Sequence, residues 1–271
     1  MRLAAIRLRA FMVREFQVAT SYRFQFLFQV FSSFFIVVMF YFIAQLMGTN
    51  AMEQVHERYQ TDYFSFVLVG VAGNTMLETA TRGFSERLRQ TMAEGSLEMM
   101  FVTPTPPVTI ITLPSIWTFF FDGMKAAIIL LLGAVVFGAD LQANIGAWLV
   151  VAICTGLAYS VFGILSLVFI MVLKRGDPVL WLVGQASAVV GGAYFPIEVL
   201  PEWLQALSWA LPMTYAYDAM RATLLTNASI FDVGGQLTLL LGFSAIGLPI
   251  AIWTCQRAID RARLDGSLGS F

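Results

Sequence analysis

The sequence predicts an all-α polytopic membrane protein: six transmembrane helices, an N-terminal amphipathic interface helix and a re-entrant hairpin before the sixth span. Three observations predict it. Of the 271 residues 58% are hydrophobic and 12% are charged, against roughly 25% charged in soluble domains, so lipid is the solvent for most of the chain. The apolar residues gather into six runs, most of them near the ~20 residues that a hydrocarbon core of roughly 30 Å requires. Arg and Lys alternate between dense and sparse connections along those runs, as they do when successive loops fall on opposite sides of a membrane.

The chain opens with Arg2, Arg7, Arg9 and Arg14 spread across one segment. A cleavable leader has a compact basic start, so the N-terminus reads as retained. Leu3, Ile6, Ala10 and Val13 recur at helical spacing between the arginines, the pattern of a helix over residues 1–23 lying in the headgroup plane. A solvated basic tail is the plainer alternative.

The six runs cover residues 24–47, 63–82, 115–138, 146–173, 178–194 and 234–256. With the N-terminus inside, thirteen flanking cations face the cytoplasm, from Arg2 to Arg23, then Arg82, Arg87 and Arg89, then Lys174 and Arg175, then Arg257, Arg261 and Arg263. Only Arg58 and Arg221 fall outside. Both termini are thereby cytoplasmic. Tyr22, Tyr41, Tyr59, Tyr63, Trp148, Trp203 and Trp209 lie near the run ends, where amphipathic rings favour the headgroup zone.

Between the second and third runs, residues 85–104 carry a charged stretch and then an apolar one. Leu97, Met100 and Phe101 share a helical face, Glu94 and Glu98 share another, and Thr103-Pro104 closes the element. So short a helix is unstable alone in water, which implies a partner surface.

Within the third run stand Asp122 and Lys125. Counted back from Val136 at about 1.5 Å per residue, Asp122 is roughly 21 Å down the core. Two unpaired charges there are costly. In one reading Lys125 snorkels toward the inner headgroups and meets Asp122 one turn away; in the other, both line the inner mouth of a conduit. Glu78 and Arg82, one turn apart, read as an interfacial pair.

Residues 191–221 are too long for a simple connection and are broken by Gly191, Gly192, Pro196, Pro201 and Pro212. A full crossing by Trp203 to Tyr217 would place Arg257, Arg261 and Arg263 outside and weaken the charge bias. A partial entry that returns to the outer face preserves it, and broken backbone at membrane depth is tolerated where protein or water surrounds it. Asp218 and Arg221, at i and i+3, are positioned to pair across a turn.

Two of these segments resemble the type-2 ABC exporter (ABC-2 type) permease family. Glu94-Gly95-Ser96-Leu97-Glu98 with Thr103-Pro104 is similar to the family's cytoplasmic Glu-Gly-Thr-Leu-Glu loop, with Ser96 at the Thr position. Gly192-Ala193-Tyr194-Phe195-Pro196, Leu200-Pro201-Glu202-Trp203 and Leu211-Pro212-Met213-Thr214-Tyr215 look like its outer-face signature before the last span. The resemblance implies that residues 1–271 form a single transmembrane domain of a plasma membrane (bacterial inner membrane) exporter. Glu94, Gly95, Ser96, Leu97, Glu98 and Phe101 would then form the coupling helix that docks on the ATPase. Phe195, Pro196, Pro201, Trp203, Pro212 and Tyr215 would form the outer gate, with Asp122 and Lys125 as possible conduit residues.

The implied partners are two copies of an ABC ATPase subunit, a second permease copy or a homologue, and membrane lipid. The sequence contains no G-x-x-x-x-G-K-[ST] phosphate loop, so ATP and Mg are expected on the ATPase and no cofactor on this chain. The chain is accordingly not expected to be an enzyme itself. Nucleic-acid binding has no support. Cys154 and Cys255 lie inside apolar runs and His56 has no Cys or His neighbour, which argues against a disulfide framework or a zinc site.

The abundance of Phe favours a lipophilic cargo, whether a small molecule, a lipid or a lipid-linked glycan. Two rivals are an ion-driven secondary transporter and an integral membrane enzyme. The first needs several mid-membrane ionisable groups between related halves, and the second an acid-base or ligand set within the spans; neither pattern is present.

Overall fold

The computed structural model describes residues 23–47, 59, 61–93, 107–173, 183–184 and 188–264. Among them are seven α-helices and no strand: α1 (Arg23–Met47), α2 (Tyr63–Ala93), α3 (Pro107–Phe137), α4 (Ile145–Leu173), α5 (Glu202–Ala210), α6 (Pro212–Leu225) and α7 (Gly234–Leu264), with a 3₁₀ turn at Ile197–Val199 before α5.

Five of the six apolar runs coincide with long helices. The departures lie at their ends. The second helix continues to Ala93, so residues 85–93, expected at the start of a separate loop, are its last turns. The third begins at Pro107, eight residues before its apolar run. Helical geometry satisfies the backbone in lipid and in water alike, so polarity marks where a membrane ends better than where a helix does. Residues 1–22, 94–106 and most of the fifth run lie outside the described residues, and with them the interface helix and the coupling segment.

Two helical stretches, Ile145–Val172 and Gly234–Arg261, are long and apolar enough to cross a membrane, with shorter apolar stretches at Val30–Leu46 and Gly123–Phe137. The second helix misses that mark because Ser65, Asn74, Thr75, Glu78, Thr79 and Thr81 interrupt it. Its surroundings account for this: α2 is the central helix, packed against α1, α3, α4 and α6, and Phe64 to Asn74 are buried without a break. Protein, not lipid, covers Ser65, Asn74 and Thr81, while Thr75, Glu78 and Thr79 are half-buried.

The outer helices show the converse. On α1, Phe28, Phe31, Phe35, Phe42 and Leu46 are exposed, and on α7 so are Leu239, Ile246, Ile250 and Trp253. Apolar surface of that extent suits a membrane and not water. The inner face of α7 packs on α4 through Ala251, Cys255 and Ile259 against Val161, Ile164 and Leu167.

The connections close with local chemistry. Gly138 takes φ +72° to end α3, a region glycine enters freely, and the next amide, Ala139, donates to the Gly133 carbonyl at 3.0 Å. Asn227 does the same after α6 with φ 53°, and the Ala228 amide donates to the Ala222 carbonyl at 3.1 Å. Asp62 caps α2 by accepting from the Ser65 amide at 3.4 Å, and Asn144 caps α4 by accepting from the Ala147 amide at 3.1 Å.

Candidate functional site at the α5–α6 hairpin

The proline-broken stretch folds into two helices joined at one residue. Leu211 precedes Pro212 and takes the extended conformation, φ −96°, ψ 133°, that a following proline enforces. Pro212 then starts α6 at its first turn, where no amide hydrogen is required. The Ser208 carbonyl closes the corner, accepting from the Leu211 amide at 3.0 Å and the Thr214 hydroxyl at 2.6 Å. The Tyr215 hydroxyl donates to the Trp209 carbonyl at 2.7 Å.

The hairpin is fixed to what precedes it. The Ser208 hydroxyl lies 2.7 Å from the Val190 carbonyl, and Gln205 Nε2 donates to the Leu200 carbonyl at 2.7 Å. Among the six residues expected at an outer gate, Pro196 and Pro212 are buried, Phe195 and Tyr215 half-buried, and Pro201 and Trp203 exposed. The exposed face of α5 carries Trp203, Leu207 and Trp209.

The second helix of the hairpin, α6, is wedged among α2, α4 and α7 and is buried along most of its length. Arg221, 4% exposed, donates through Nη2 to the Ala193 carbonyl at 2.7 Å and through Nε to the Phe66 carbonyl at 3.4 Å. Its guanidinium lies 3.5 Å above the Phe66 ring, a cation–π contact. Gly70 makes room for this: a Cβ there would overlap the Ala193 oxygen and stand 2.7 Å from Arg221 Nη2. Asp218, one turn earlier, accepts from the Tyr59 hydroxyl at 2.6 Å and from Gln236 Nε2 at 3.0 Å, so α6 is also fastened to α7 and to the chain ahead of α2.

Further bonds collect at the same end of the bundle. The Tyr63 hydroxyl donates to the Tyr194 carbonyl at 3.1 Å and the Asp140 amide to Ser65 Oγ at 3.0 Å. The Asn144 amide meets the Thr223 carbonyl at 2.9 Å, while its Nδ2 reaches the Ala228 carbonyl at 3.2 Å. The beginnings of α2, α4 and α7 and the ends of α3 and α6 therefore meet in one polar layer. Deeper in, the Tyr217 hydroxyl donates to Asn74 Oδ1 at 3.1 Å.

The other expected site residues lie elsewhere. Asp122 and Lys125 are on α3; Lys125 is half-buried, and the side chain of Asp122 lies outside the described residues. Glu94, Gly95, Ser96, Leu97, Glu98 and Phe101 also lie outside them. Glu78 and Arg82 stand 3.9 Å apart at i and i+4, the pairing their spacing predicts. Sequence reasoning did not single out Gly70, Asn74, Asn144 or Gln236. For Gly70, Asn74 and Gln236 the available signal was their place inside apolar runs, where a polar residue or a Gly marks a protein-facing position; Asn144 lies between runs and carried no such signal.

Among curated proteins no sequence matches this chain significantly. A family model described as ABC-2 type transporter matches residues 7–225, which takes in the first five runs, the Glu94–Glu98 motif and the whole hairpin. That span is well over half of the chain, and its membrane-embedded helices are those of a transport component and not of a nucleotide-binding domain. The chain belongs to the ABC-2 type transporter family.

Proposed function

We propose that this chain is the permease subunit of an ATP-driven exporter, crossing the plasma membrane six times with both termini in the cytoplasm and moving a lipophilic small molecule, lipid or lipid-linked glycan outward. Family membership over residues 7–225 carries this reading. Two copies, or one copy and a homologue, join two ATPase subunits that hold ATP and Mg. Residues 1–271 act as one transmembrane domain, with residues 1–23 in the inner interface.

Orientation draws support from the polar layer. It lies at one end of the bundle, while Arg82 and Arg257 sit about 19 and 23 residues along α2 and α7, roughly 28 and 34 Å away by helical rise. Cations at that far end suit a cytoplasmic face. The polar layer is then the outer side, and the α5–α6 hairpin enters from it, turns at Leu211 and returns. Its backbone polar groups are satisfied within protein, which suits a re-entrant element.

In this mechanism closure of the ATPases pushes on the coupling helix at Glu94, Gly95, Ser96, Leu97, Glu98 and Phe101. The helices tilt between two arrangements whose balance nucleotide sets. The outer gate is the hairpin with Phe195, Pro196, Pro201, Trp203, Pro212 and Tyr215. Asp122 and Lys125 are assigned to the inner conduit.

Co-purification with the ATPase tests the reading. Leu97→Asp combined with Glu98→Arg abolishes capture of the ATPase while the permease still inserts. In proteoliposomes, cargo moves only when ATPase and nucleotide are both present. Cargo movement by the permease alone overturns the proposal.

A further inference from the structure

A second polar cluster lies deep in the bundle, where the transport reading does not use it. Tyr159 and Thr155 on α4 are both 0% exposed. Neither hydroxyl has a hydrogen-bond partner among the described residues. They lie one turn apart, and helical side chains lean toward the N-terminus, so the Tyr159 ring extends over the turn that carries Thr155. Tyr159 belongs to the core cluster that holds Tyr217, Leu77 and Met220. Tyr217 in turn donates to Asn74.

Thr155 is exceptional among its neighbours. A buried helical Thr or Ser ordinarily turns its hydroxyl back onto a carbonyl three or four residues earlier. Thr81 bonds to Leu77, Ser160 to Gly156, Thr223 to Ala219 and Ser244 to Leu240. The same rotation is open to Thr155 within α4, yet its hydroxyl is turned elsewhere. A lone buried hydroxyl is costly, and two on one face of one helix mark a place that a small polar guest occupies.

The guest has to donate and accept, since a phenol and an aliphatic hydroxyl each do both. It has to be small, because both residues are sealed from the surface. A neutral guest costs least, because Tyr159, Thr155, Asn74 and Tyr217 offer no counter-charge to a buried ion. Water meets all three conditions, and internal waters typically make about three bonds to otherwise unpaired groups.

We propose that Tyr159 and Thr155, together with the Asn74–Tyr217 pair, hold an internal water between α4, α2 and α6. By helical rise the site is roughly 15–21 Å from the start of α4, near the middle of the bundle. The water links α4 to α6 without a direct bond at that depth, so α6 meets α4 there through an exchangeable molecule, while Tyr217 ties it directly to Asn74 on α2 and Arg221 and Asp218 hold its outer end.

Radiolytic hydroxyl labelling of the full chain in lipid nanodiscs, read by mass spectrometry, tests this, because a water bound against a phenol labels it even where bulk solvent is excluded. Tyr159 is expected to be modified, and the oxygen it gains on irradiation is expected to change only slowly from ¹⁶O to ¹⁸O with time after dilution into labelled water, as the bound water exchanges. Tyr159→Phe is expected to lower the melting midpoint by roughly 2–4 °C, and adding Thr155→Val lowers it little further because the two share one guest. An unlabelled Tyr159 overturns the proposal, as does a raised midpoint in Tyr159→Phe, the behaviour of a dry hydroxyl. Should Tyr159→Phe fail to fold, Thr155→Val alone and the labelling of the unaltered chain decide the matter in the same way.

Discussion

Arg221 donates to the Ala193 carbonyl at 2.7 Å, which joins the hairpin's second helix to the end of the fifth run through a cation buried against the Phe66 ring. Bonds from a buried charge are worth roughly 1.5–3 kcal/mol each. Arg221→Ala is expected to destabilise the protein by about 2–4 kcal/mol, read as a lowered midpoint of unfolding in mild detergent. Arg221→Lys keeps the charge and loses the planar fork, so it should fall between. A variant as stable as the parent would show that the clasp contributes nothing.

Gly70 is the space that clasp occupies. Gly70→Ala drives a methyl into the Ala193 oxygen and the guanidinium, and overpacking of this kind costs about 1–3 kcal/mol. Gly123 on α3 has nothing among the described residues within 4 Å of the position a Cβ would take, so Gly123→Ala should be neutral or, through helix propensity, stabilising by up to about 1 kcal/mol. Comparing the two melting curves separates contact from propensity.

Asp218 gathers the Tyr59 hydroxyl and the Gln236 amide on its two oxygens. Asp218→Ala leaves both donors without this acceptor and should cost more than Tyr59→Phe, which removes one bond worth about 1 kcal/mol. In a double-mutant cycle Asp218→Ala and Tyr59→Phe should be sub-additive. Strict additivity would show that they act independently.

The loop before α7 carries a pH dependence. Asp232, exposed, accepts from the Ser229 hydroxyl at 2.7 Å and the Ser229 amide at 2.8 Å, and these bonds hold its carboxyl below the usual range. The folded loop therefore favours the ionised form. Its contribution is complete above the ordinary carboxylate value near ~4 and is lost as pH falls through the lower folded value. Protection of the Ser229 amide, taken relative to its intrinsic exchange rate at each pH, should fall over that acid window in the parent, and Asp232→Asn should weaken the dependence.

Much of the architecture was legible because lipid imposes a strict rule on composition. The run at 146–173 appears as Ile145–Leu173, and the run at 24–47 as Arg23–Met47. Prolines and glycines in residues 191–221 likewise announced a break, and the turn at Leu211-Pro212 is that break. Charge spacing on one helix also carried through, as Glu78 with Arg82 shows, because neighbours at i and i+4 need no other element to meet.

The sequence by itself determined which segments are helical and apolar and where the chain is forced to bend, since those follow from side-chain hydrophobicity and backbone sterics within one stretch. Only the tertiary structure decided that the polar α2 is the central helix and that Arg221 turns to Ala193 and Phe66. It also decided that Asp218 holds Tyr59 and Gln236. The partners of a buried polar group lie tens to more than a hundred residues away, as the separations of 28 for Arg221–Ala193 and 159 for Tyr59–Asp218 attest. In an apolar interior such groups bond to whichever complementary atoms packing brings within reach.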